Sequence, residues 1–251
     1  MNLRSDGILL ADKPRDWTSH DVCAYVRGRF GIKKVGHAGT LDPLATGLLV
    51  LLLGRATKLS MPLSACDKEY LGVMELGVQT DSHDRQGKVI AEAPWREITL
   101  DEVRQTAARQ FTGEIVQVPP MVSALKHEGK RLYKLARQGK VVERKGRNVT
   151  VFEFRFEKKE EQFVHFFAHV SKGTYLRTLI NDLGDALGCH ATLAQLRRLR
   201  SGRFRLEQSV TLDDLKRFTP IQLNEKILPL SAVLTDYANH YGPTPVPGKS
   251  V

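Results

Sequence analysis

A single acidic residue, Asp42, stands inside a loop whose composition constrains the backbone. The loop spans residues 36–47 and reads GHAGTLDPLATG, with Pro43 directly after the acid. Glycines adopt backbone conformations that other residues avoid, and a proline holds the preceding residue in an extended state. Because catalytic groups are often carried by loops fixed on rigid elements, Asp42 is a candidate catalytic carboxylate. The alternative is an aspartate that caps a backbone N–H, the commoner role of a loop aspartate.

Two other chemistries are disfavoured by spacing. His165 and His169 are four residues apart in a predicted strand, about 13 Å at 3.3 Å per residue, which is too far for one metal ion. The 36–47 loop lacks the lysine of a nucleotide phosphate loop and leads into an apolar run, 48–53, that suits a buried strand. The sequence therefore predicts no metal site and no nucleotide hydrolysis.

The basic charge is concentrated in two runs. The chain has 251 residues, with 38 Lys+Arg against 28 Asp+Glu and a formal net charge of +10. Residues 126–147 carry a net charge of +7 and residues 195–205 a further +5, so the remainder is close to neutral. Two such runs favour a footprint for a polyanion, most simply nucleic acid, although a solvated helix face is the alternative for either run alone.

The cysteines and the apolar runs indicate the compartment. Cys23, Cys66 and Cys189 are odd in number and far apart, which argues against a disulfide framework and against a cysteine-based zinc site. A reduced, cytoplasmic environment is the default for such a chain. No apolar stretch approaches the length of a signal peptide or a membrane span, so we expect no membrane association.

Periodicity predicts the elements that must position Asp42. Thr18 with Asp21 resembles a capping box that opens a helix ending at Gly31. Adjacent strands at 149–156 and 163–170, without a helix between them, favour an α+β fold with a mixed, mainly antiparallel sheet flanked by helices. The remaining predictions are that Phe152, Phe154 and Phe156 share one side of a strand, that residues 174–187 form a helix, and that Leu193, Leu196 and Leu199 line a short helix carrying the second basic run. We expect one catalytic domain over 1–236 and a Pro-rich tail over 237–251.

Ordered segments of the chain closely resemble the TruB-type tRNA pseudouridine synthases, which isomerise the uridine at tRNA position 55. The matching segments are GHAGTLDPLATGLL at 36–49, DKP at 12–14, WTS at 17–19, KEY at 68–70, TD at 80–81, PPM at 119–121, SALK at 123–126, SKGTYLRT at 171–178 and LRR at 196–198. The resemblance runs from about residue 6 to 235 and implies the pseudouridine synthase fold. Many members carry a PUA domain after the catalytic core, and we expect this chain to be a short member without it.

The resemblance also implies a role for individual residues. Asp42 is implied as the catalytic aspartate, with Arg177 as the cation that pairs with it. The implied substrate-binding residues are Tyr70, which stacks on the target uracil, Tyr175 and Leu196, which line the uridine pocket, His37, which holds the rearranged T-loop, and Asp84 near the flipped nucleotides. The segment 126–147 corresponds to a basic insertion that closes over the RNA. Contacts to the RNA backbone are expected from Lys130, Lys134, Arg137, Arg197 and Arg198.

The reaction suits these residue types. It breaks an N-glycosidic bond, turns the uracil and rejoins it through carbon, so nothing is oxidised and we expect no cofactor. A carboxylate can attack the anomeric carbon or assist elimination at the sugar, and both routes stay open. An arginine partner lowers the pKa of a carboxyl group and so keeps it ionised against the opposing effect of burial.

The expected partner is tRNA, recognised through its T-arm, with no obligate protein partner. Two alternatives remain. The chain could be a non-catalytic RNA-binding or RNA-folding protein, against which the intact Asp42, Tyr70 and Arg177 argue. It could also be a pseudouridine synthase that acts on a different RNA.

Overall fold

The computed structural model describes residues 5–121 and 142–234, together with the backbone of 126–127 and 130–131. The strands in these parts of the chain are β1 (Gly7–Lys13), β2 (Val35–Ala38), β3 (Thr46–Leu53), β4 (Lys68–Leu76), β5 (Val78–Thr80), β6 (Val89–Glu92), β7 (Gly113–Gln117), β8 (Lys126–His127), β9 (Lys130–Arg131), β10 (Arg147–Glu160), β11 (Phe163–Val170), β12 (Ala191–Ser201), β13 (Phe204–Arg205), β14 (Val210–Thr211) and β15 (Leu228–Pro229). The helices are α1 (Ser19–Phe30), α2 (Ser60–Ser64), α3 (Leu100–Gln110), α4 (Leu176–Ala186), α5 (Leu212–Arg217) and α6 (Pro220–Lys226), with 3₁₀ turns at Gly54–Leu59 and Leu206–Gln208.

The chain divides into two compact units. The first comprises Met1–Cys66 and Arg197–Val251, and the second comprises Asp67–Leu196. Each combines strands with helices, which confirms the α+β prediction. Within the described ranges, no helix has both the length and the apolar character needed to cross a membrane. The predicted tail, 237–251, and most of the basic segment 126–147 lie outside the described residues.

Strand β3 lies at the centre of the first unit's sheet. It pairs antiparallel with the whole of β1, from Gly7 opposite Leu53 to Lys13 opposite Gly47. Strand β2 pairs antiparallel with its other edge, where Arg197 and Arg198 of β12 also pair in parallel with Thr46 and Gly47. All but one of the β3 residues are buried, as an uninterrupted apolar run predicts. The predicted strand at 48–53 is confirmed.

Helix α1 begins and ends as the sequence predicts. The Thr18 hydroxyl accepts a hydrogen bond from Asp21 N at 3.1 Å, and the Asp21 carboxylate accepts one from Thr18 N at 2.8 Å. Gly31 ends the helix in the left-handed conformation. One face of α1 is buried, and Ser19 on that face lies in the first turn, directly after the cap. The cap therefore determines where the Ser19 hydroxyl is placed.

The second unit contains an antiparallel sheet in the order β4-β11-β10-β7. Burial alternates along β11, which matches the predicted strand at 163–170. The prediction for the phenylalanines of β10 is wrong in one position, because Phe154 and Phe156 are buried while Phe152 is half exposed. A register shift between Val151 and Glu153 is the reason, since an extra residue reverses the direction of the side chains that follow.

The segment expected to be a short helix is a strand. Leu193, Leu196 and Leu199 repeat every three residues, yet they belong to β12, which pairs with β3 and β13. A short apolar run does not distinguish a helix from a strand, and backbone partners on neighbouring strands decide the outcome here. The predicted helix at 174–187 is confirmed as α4, which begins two residues later, at Leu176.

Candidate active site

In the first unit, backbone hydrogen bonds fix the loop that carries Asp42. The Ser19 hydroxyl accepts from Leu41 N at 2.8 Å and donates to Leu41 O at 3.1 Å. On the other side of the acid, Pro43 O accepts from Asp16 N at 2.9 Å, and Asp42 O accepts from Ala45 N at 3.1 Å. The backbone before, at and after Asp42 is therefore held, which is the preorganisation that a catalytic carboxylate needs.

A buried lysine lies beside this loop. Lys13 has no exposed surface, and its ammonium donates to the carbonyl oxygens of Pro14, Trp17 and Pro43 at 2.8, 2.6 and 3.4 Å. Burial lowers the pKa of Lys13 to about 8, and the charge of Asp42 opposes that lowering. The mutual attraction favours the ionised form of Asp42 at neutral pH. The sequence motif contained Lys13, but no role was predicted for it.

Arg198 is corrected from an RNA contact to a support of the Asp42 loop. Its side chain is wholly buried, and it donates to Leu48 O at 2.7 Å and to Gly39 O at 3.1 Å. The backbone of Arg198 also lies against Gly47, where an added Cβ would be 2.4 Å from the Arg198 carbonyl oxygen. A guanidinium enclosed by backbone carbonyls is not available to phosphate. Strand pairing, which the sequence did not show, places it there.

The side chain of Arg197 points to the opposite face of the sheet from Arg198 and is partly exposed. Its guanidinium donates to Asp12 at 2.6 and 3.2 Å and to the Thr46 hydroxyl at 3.3 Å. Its side chain is 42% exposed. The predicted RNA contact of Arg197 stays a prediction that this geometry permits.

His37 lies on β2, in the first unit, with a largely buried ring. Burial lowers the pKa of the imidazole, and the positive charges of Arg198 and His20 lower it further. His37 is therefore neutral at physiological pH, with one donor and one acceptor nitrogen. Its Nδ1 is buried and makes no hydrogen bond to the described residues. A neutral imidazole of this kind can hydrogen-bond a nucleotide without adding charge.

In the second unit, two of the predicted residues form a buried ion pair. Arg177 and Asp84 are both almost fully buried, with 3.5 Å between Arg177 Nη1 and Asp84 Oδ2. The same Nη1 donates to Ser82 O at 3.0 Å. The other carboxylate oxygen of Asp84 accepts from the Ser82 hydroxyl at 2.7 Å and from Gln86 N at 3.0 Å. Both carboxylate oxygens of Asp84 therefore have partners, and the carboxylate is held in place to orient the Arg177 guanidinium.

The predicted aromatic and apolar residues of the second unit lie on three elements. Tyr70 is on β4, opposite Ala168 of β11, and is largely buried. Leu196 is on β12 and is also largely buried. Tyr175 immediately precedes α4 and contacts two residues that sequence reasoning missed, Gln117 and Arg147. Strand register, absent from the sequence pattern, is what brings these two together.

The residues of the basic segment that we expect on RNA lie mostly outside the described parts of the chain. For Lys130 the structure describes the backbone, which belongs to β9. Lys134 and Arg137 lie outside the described residues altogether.

Two family descriptions match adjoining parts of the chain. The TruB family pseudouridylate synthase N-terminal domain matches residues 27–176, and the tRNA pseudouridylate synthase B C-terminal domain matches residues 177–235. This chain belongs to the TruB family. The resemblance read from the sequence motifs is thereby confirmed.

Individual relatives within the TruB family cover most of the chain. A tRNA pseudouridine synthase B from Opitutus terrae is 44% identical over 225 residues, which are 90% of this chain and 93% of the relative. One from Burkholderia pseudomallei is 46% identical over 233 residues, 92% of this chain and 76% of the relative. One from Geotalea uraniireducens is 48% identical over 212 residues, 84% of this chain and 68% of the relative.

The fold is shared with proteins in two solved complexes. The chain matches a protein in the crystal structure of a Cbf5-Nop10-Gar1 complex with a TM-score of 0.71 and 30% sequence identity. The match covers 92% of this chain and 62% of that one, so this chain spans about three fifths of that protein's length. A second structure, of an archaeal box H/ACA sRNP Nop10-Cbf5 complex, matches with a TM-score of 0.66 and 29% identity. The predicted pseudouridine synthase fold is confirmed.

Proposed function

We propose that this chain converts uridine 55 in the T-loop of tRNA to pseudouridine, with Asp42 as the catalytic carboxylate. The observation that carries the proposal is the Asp42 loop itself. A TruB-family motif holds one acid, its backbone is hydrogen-bonded on both sides, and the Lys13 ammonium interacts with it. Such a loop presents an ionised carboxylate in a fixed position.

The reaction is an isomerisation and is balanced without a co-reactant. The bond between uracil N1 and ribose C1′ breaks, and a bond between C5 and C1′ forms. The C5 hydrogen is lost as a proton, and N1 gains one. Asp42 can attack C1′, as the nucleophile of a retaining glycosidase does, or accept a proton from the sugar during elimination. Both routes require Asp42 to be ionised.

The proposal gives the second unit the task of holding the nucleotide and orienting charge. Arg177 binds the substrate in this proposal, and the Asp84 carboxylate orients its guanidinium. Tyr70 stacks on the extruded uracil, which offsets the few kcal/mol that base flipping costs. Tyr175 and Leu196 line the uridine pocket, and His37 contacts the T-loop as a neutral hydrogen-bonding group.

Phosphate contacts supply most of the affinity in this proposal. Lys130, Lys134, Arg137 and Arg197 neutralise phosphates of the T-arm. Affinity should then fall linearly with salt on a logarithmic scale, because each neutralised phosphate releases counterions.

Tritium release from tRNA transcript labelled at uracil C5 tests this function directly. Wild-type protein should release tritium without an added cofactor, and Asp42→Asn should abolish release while tRNA binding persists. Asp101→Asn is the matched control, because Asp101 is an exposed carboxylate on α3 and should leave release unchanged. Equal release by Asp42→Asn would contradict the proposal.

Sequencing the product separates the alternatives. Pseudouridine at position 55 alone supports the proposed substrate. Modification at other positions or in other RNAs supports a synthase with a different target. Tight tRNA binding by the wild type without any release supports a non-catalytic RNA-binding protein.

A further inference from the structure

Gln117 and Arg147 face each other on neighbouring strands and both contact Tyr175. They are Cα partners in the ladder between β7 and β10. Gln117 is 1% exposed, and its amide oxygen accepts from Tyr175 N at 2.8 Å. Its amide nitrogen donates to Tyr175 O at 3.1 Å. One side chain therefore satisfies both backbone polar atoms of Tyr175.

Arg147 acts on the ring of Tyr175 and on the turn that precedes it. The Arg147 guanidinium carbon lies 4.8 Å from the centroid of the Tyr175 ring. The same guanidinium donates to the carbonyl oxygen of Gly173, a residue in the left-handed conformation with φ of 81°. Planar stacking and hydrogen bonding by one group are properties of arginine that lysine lacks.

The turn is also joined to β10 through Ser171. Ser171 N donates to Thr150 O at 2.8 Å, and the Ser171 hydroxyl accepts from Thr150 N at 2.8 Å. Thr174 completes the turn, because its hydroxyl donates to Ser171 O at 3.0 Å. The position of Tyr175 is thus determined by hydrogen bonds and ring contacts with residues of β7 and β10.

Helix α4 depends on this arrangement for its starting position. Tyr175 is the residue before α4, and its own side chain makes no capping hydrogen bond. The first turn of a helix is usually stabilised by a hydrogen bond from the side chain of the N-cap residue. Here Gln117 supplies the contact from another strand, and Arg177, in the first turn of α4, follows Tyr175 by two residues. Any shift of Tyr175 would move Arg177 as well.

Apolar packing alone does not account for Gln117. Strand β7 is the last in its sheet, and Val116 next to Gln117 is exposed. Burying an amide costs free energy that an apolar side chain of similar size avoids. The amide is useful at this position because both of its hydrogen bonds end on Tyr175.

We propose that the Gln117–Arg147 pair is a positioning device for the isomerisation. Gln117 fixes the backbone of Tyr175, Arg147 fixes its ring, and both place the first turn of α4 with Arg177. This inference rests on the proposed function, in which Tyr175 lines the uridine pocket. It also separates Arg147 from the rest of the basic segment 126–147, whose members we expect on RNA phosphates.

Single-turnover tritium release with saturating protein and a T-arm RNA tests the pair. Arg147→Met should slow the rate constant by about 10- to 100-fold, the effect expected when reacting groups are misplaced. The Kd for the RNA should change by less than about threefold, since no phosphate contact is removed. Arg147→Lys should be slowed nearly as much, because it keeps the charge and loses the planar stack. Recovery of the rate by Arg147→Lys would overturn the inference in favour of a phosphate contact.

Gln117→Glu is the second variant, chosen because it keeps the size of the side chain and the acceptor but loses the donor. We expect a slower single-turnover rate constant with unchanged RNA affinity. In a Tyr175→Leu background, Arg147→Met should have little further effect, because its stacking partner is already gone. Full additivity of the two substitutions would contradict a shared action on Tyr175.

Arg155→Met is the matched control. Arg155 also lies on β10 and also stacks on an aromatic ring, that of Phe167, at 5.1 Å. It is exposed, and its substitution should leave the rate constant unchanged. If wild-type protein releases no tritium, the proposed function itself is contradicted. If wild type is active and Arg147→Met has the same rate constant, only the positioning role is contradicted.

Discussion

The two groups of candidate site residues are held in different ways. In the first unit, the Asp42 loop is fixed by hydrogen bonds to its backbone, and Lys13 and Arg198 donate to backbone carbonyl oxygens. In the second unit, Arg177 and Asp84 pair side chain to side chain. The first arrangement depends on backbone shape and the second on a partner charge. Steric changes should therefore damage the first, and loss of charge should damage the second.

The largest effect is expected from Asp84→Asn. The substitution keeps the shape of the side chain but leaves the buried Arg177 guanidinium without this carboxylate. Breaking a buried ion pair from one side costs about 3 to 5 kcal/mol. Urea unfolding should show a loss of that order. Asp101→Asn removes a carboxylate from an exposed pair with Arg104 at 3.1 Å and should cost less than about 1 kcal/mol. Equal losses would show that the burial of the Arg177–Asp84 pair has no energetic consequence.

This contrast also explains how much of the site could be predicted from the sequence. The Asp42 loop, the α1 cap and the strand at 48–53 are encoded within a few residues of one another, so local patterns sufficed. Family resemblance singled out Arg177 and Asp84 as well, but not the ion pair that joins them. That pair links residues far apart in the chain, and no local pattern specifies it.

Most of the failures have the same origin. The arginine run was predicted as a helix because its leucines repeat every three residues, whereas the partners of β12 make it a strand. Arg198 was predicted on RNA, yet the pairing of β12 with β3 buries it. The Gln117–Arg147 pair exists only through the register of β7 and β10. Each of these three cases depends on which distant strand is adjacent, whereas the error at Phe152 comes from a register shift between β10 and β11.

Gly47→Ala tests the dependence of the Asp42 loop on backbone shape. Gly47 has φ of 96°, and an added Cβ would lie 2.4 Å from Arg198 O. Left-handed strain and the close contact together should cost about 2 to 4 kcal/mol in unfolding free energy. Gly28→Ala is the control with the opposite sign, because Gly28 is in α1 with open space around it and should gain up to about 1 kcal/mol. A tolerated Gly47→Ala would contradict the close approach of β12 to the loop.

Lys13 makes the first unit sensitive to alkaline pH. The pKa of Lys13 is about 8 in the folded chain, whereas the pKa of an exposed lysine is about 10.4. Between these values the unfolded chain retains a proton that the folded chain has lost. Unfolding free energy should therefore rise with pH over this window, by up to about 1.4 kcal/mol per pH unit.

Urea unfolding of wild type and Lys13→Met between pH 8 and 10 measures that slope as a difference. The advantage of wild type over Lys13→Met should grow as the pH rises. Asp84→Asn should follow the wild-type slope, because the arginine it leaves behind stays charged throughout. A constant difference between wild type and Lys13→Met would mean that Lys13 titrates alike in the folded and unfolded chain.

The smallest effect is expected on tRNA affinity, from substitution of Arg197, the partly exposed neighbour of the buried Arg198 in β12. Arg197→Gln should weaken tRNA binding modestly and reduce the slope of log affinity against log salt by about 0.7 to 0.9, the value of one phosphate. Asp12→Asn should act in the opposite direction, because the Asp12 carboxylate accepts hydrogen bonds from Nη1 and Nη2 of Arg197 and competes with phosphate. If neither variant changes the salt dependence, Arg197, like Arg198, makes no contact with RNA phosphates.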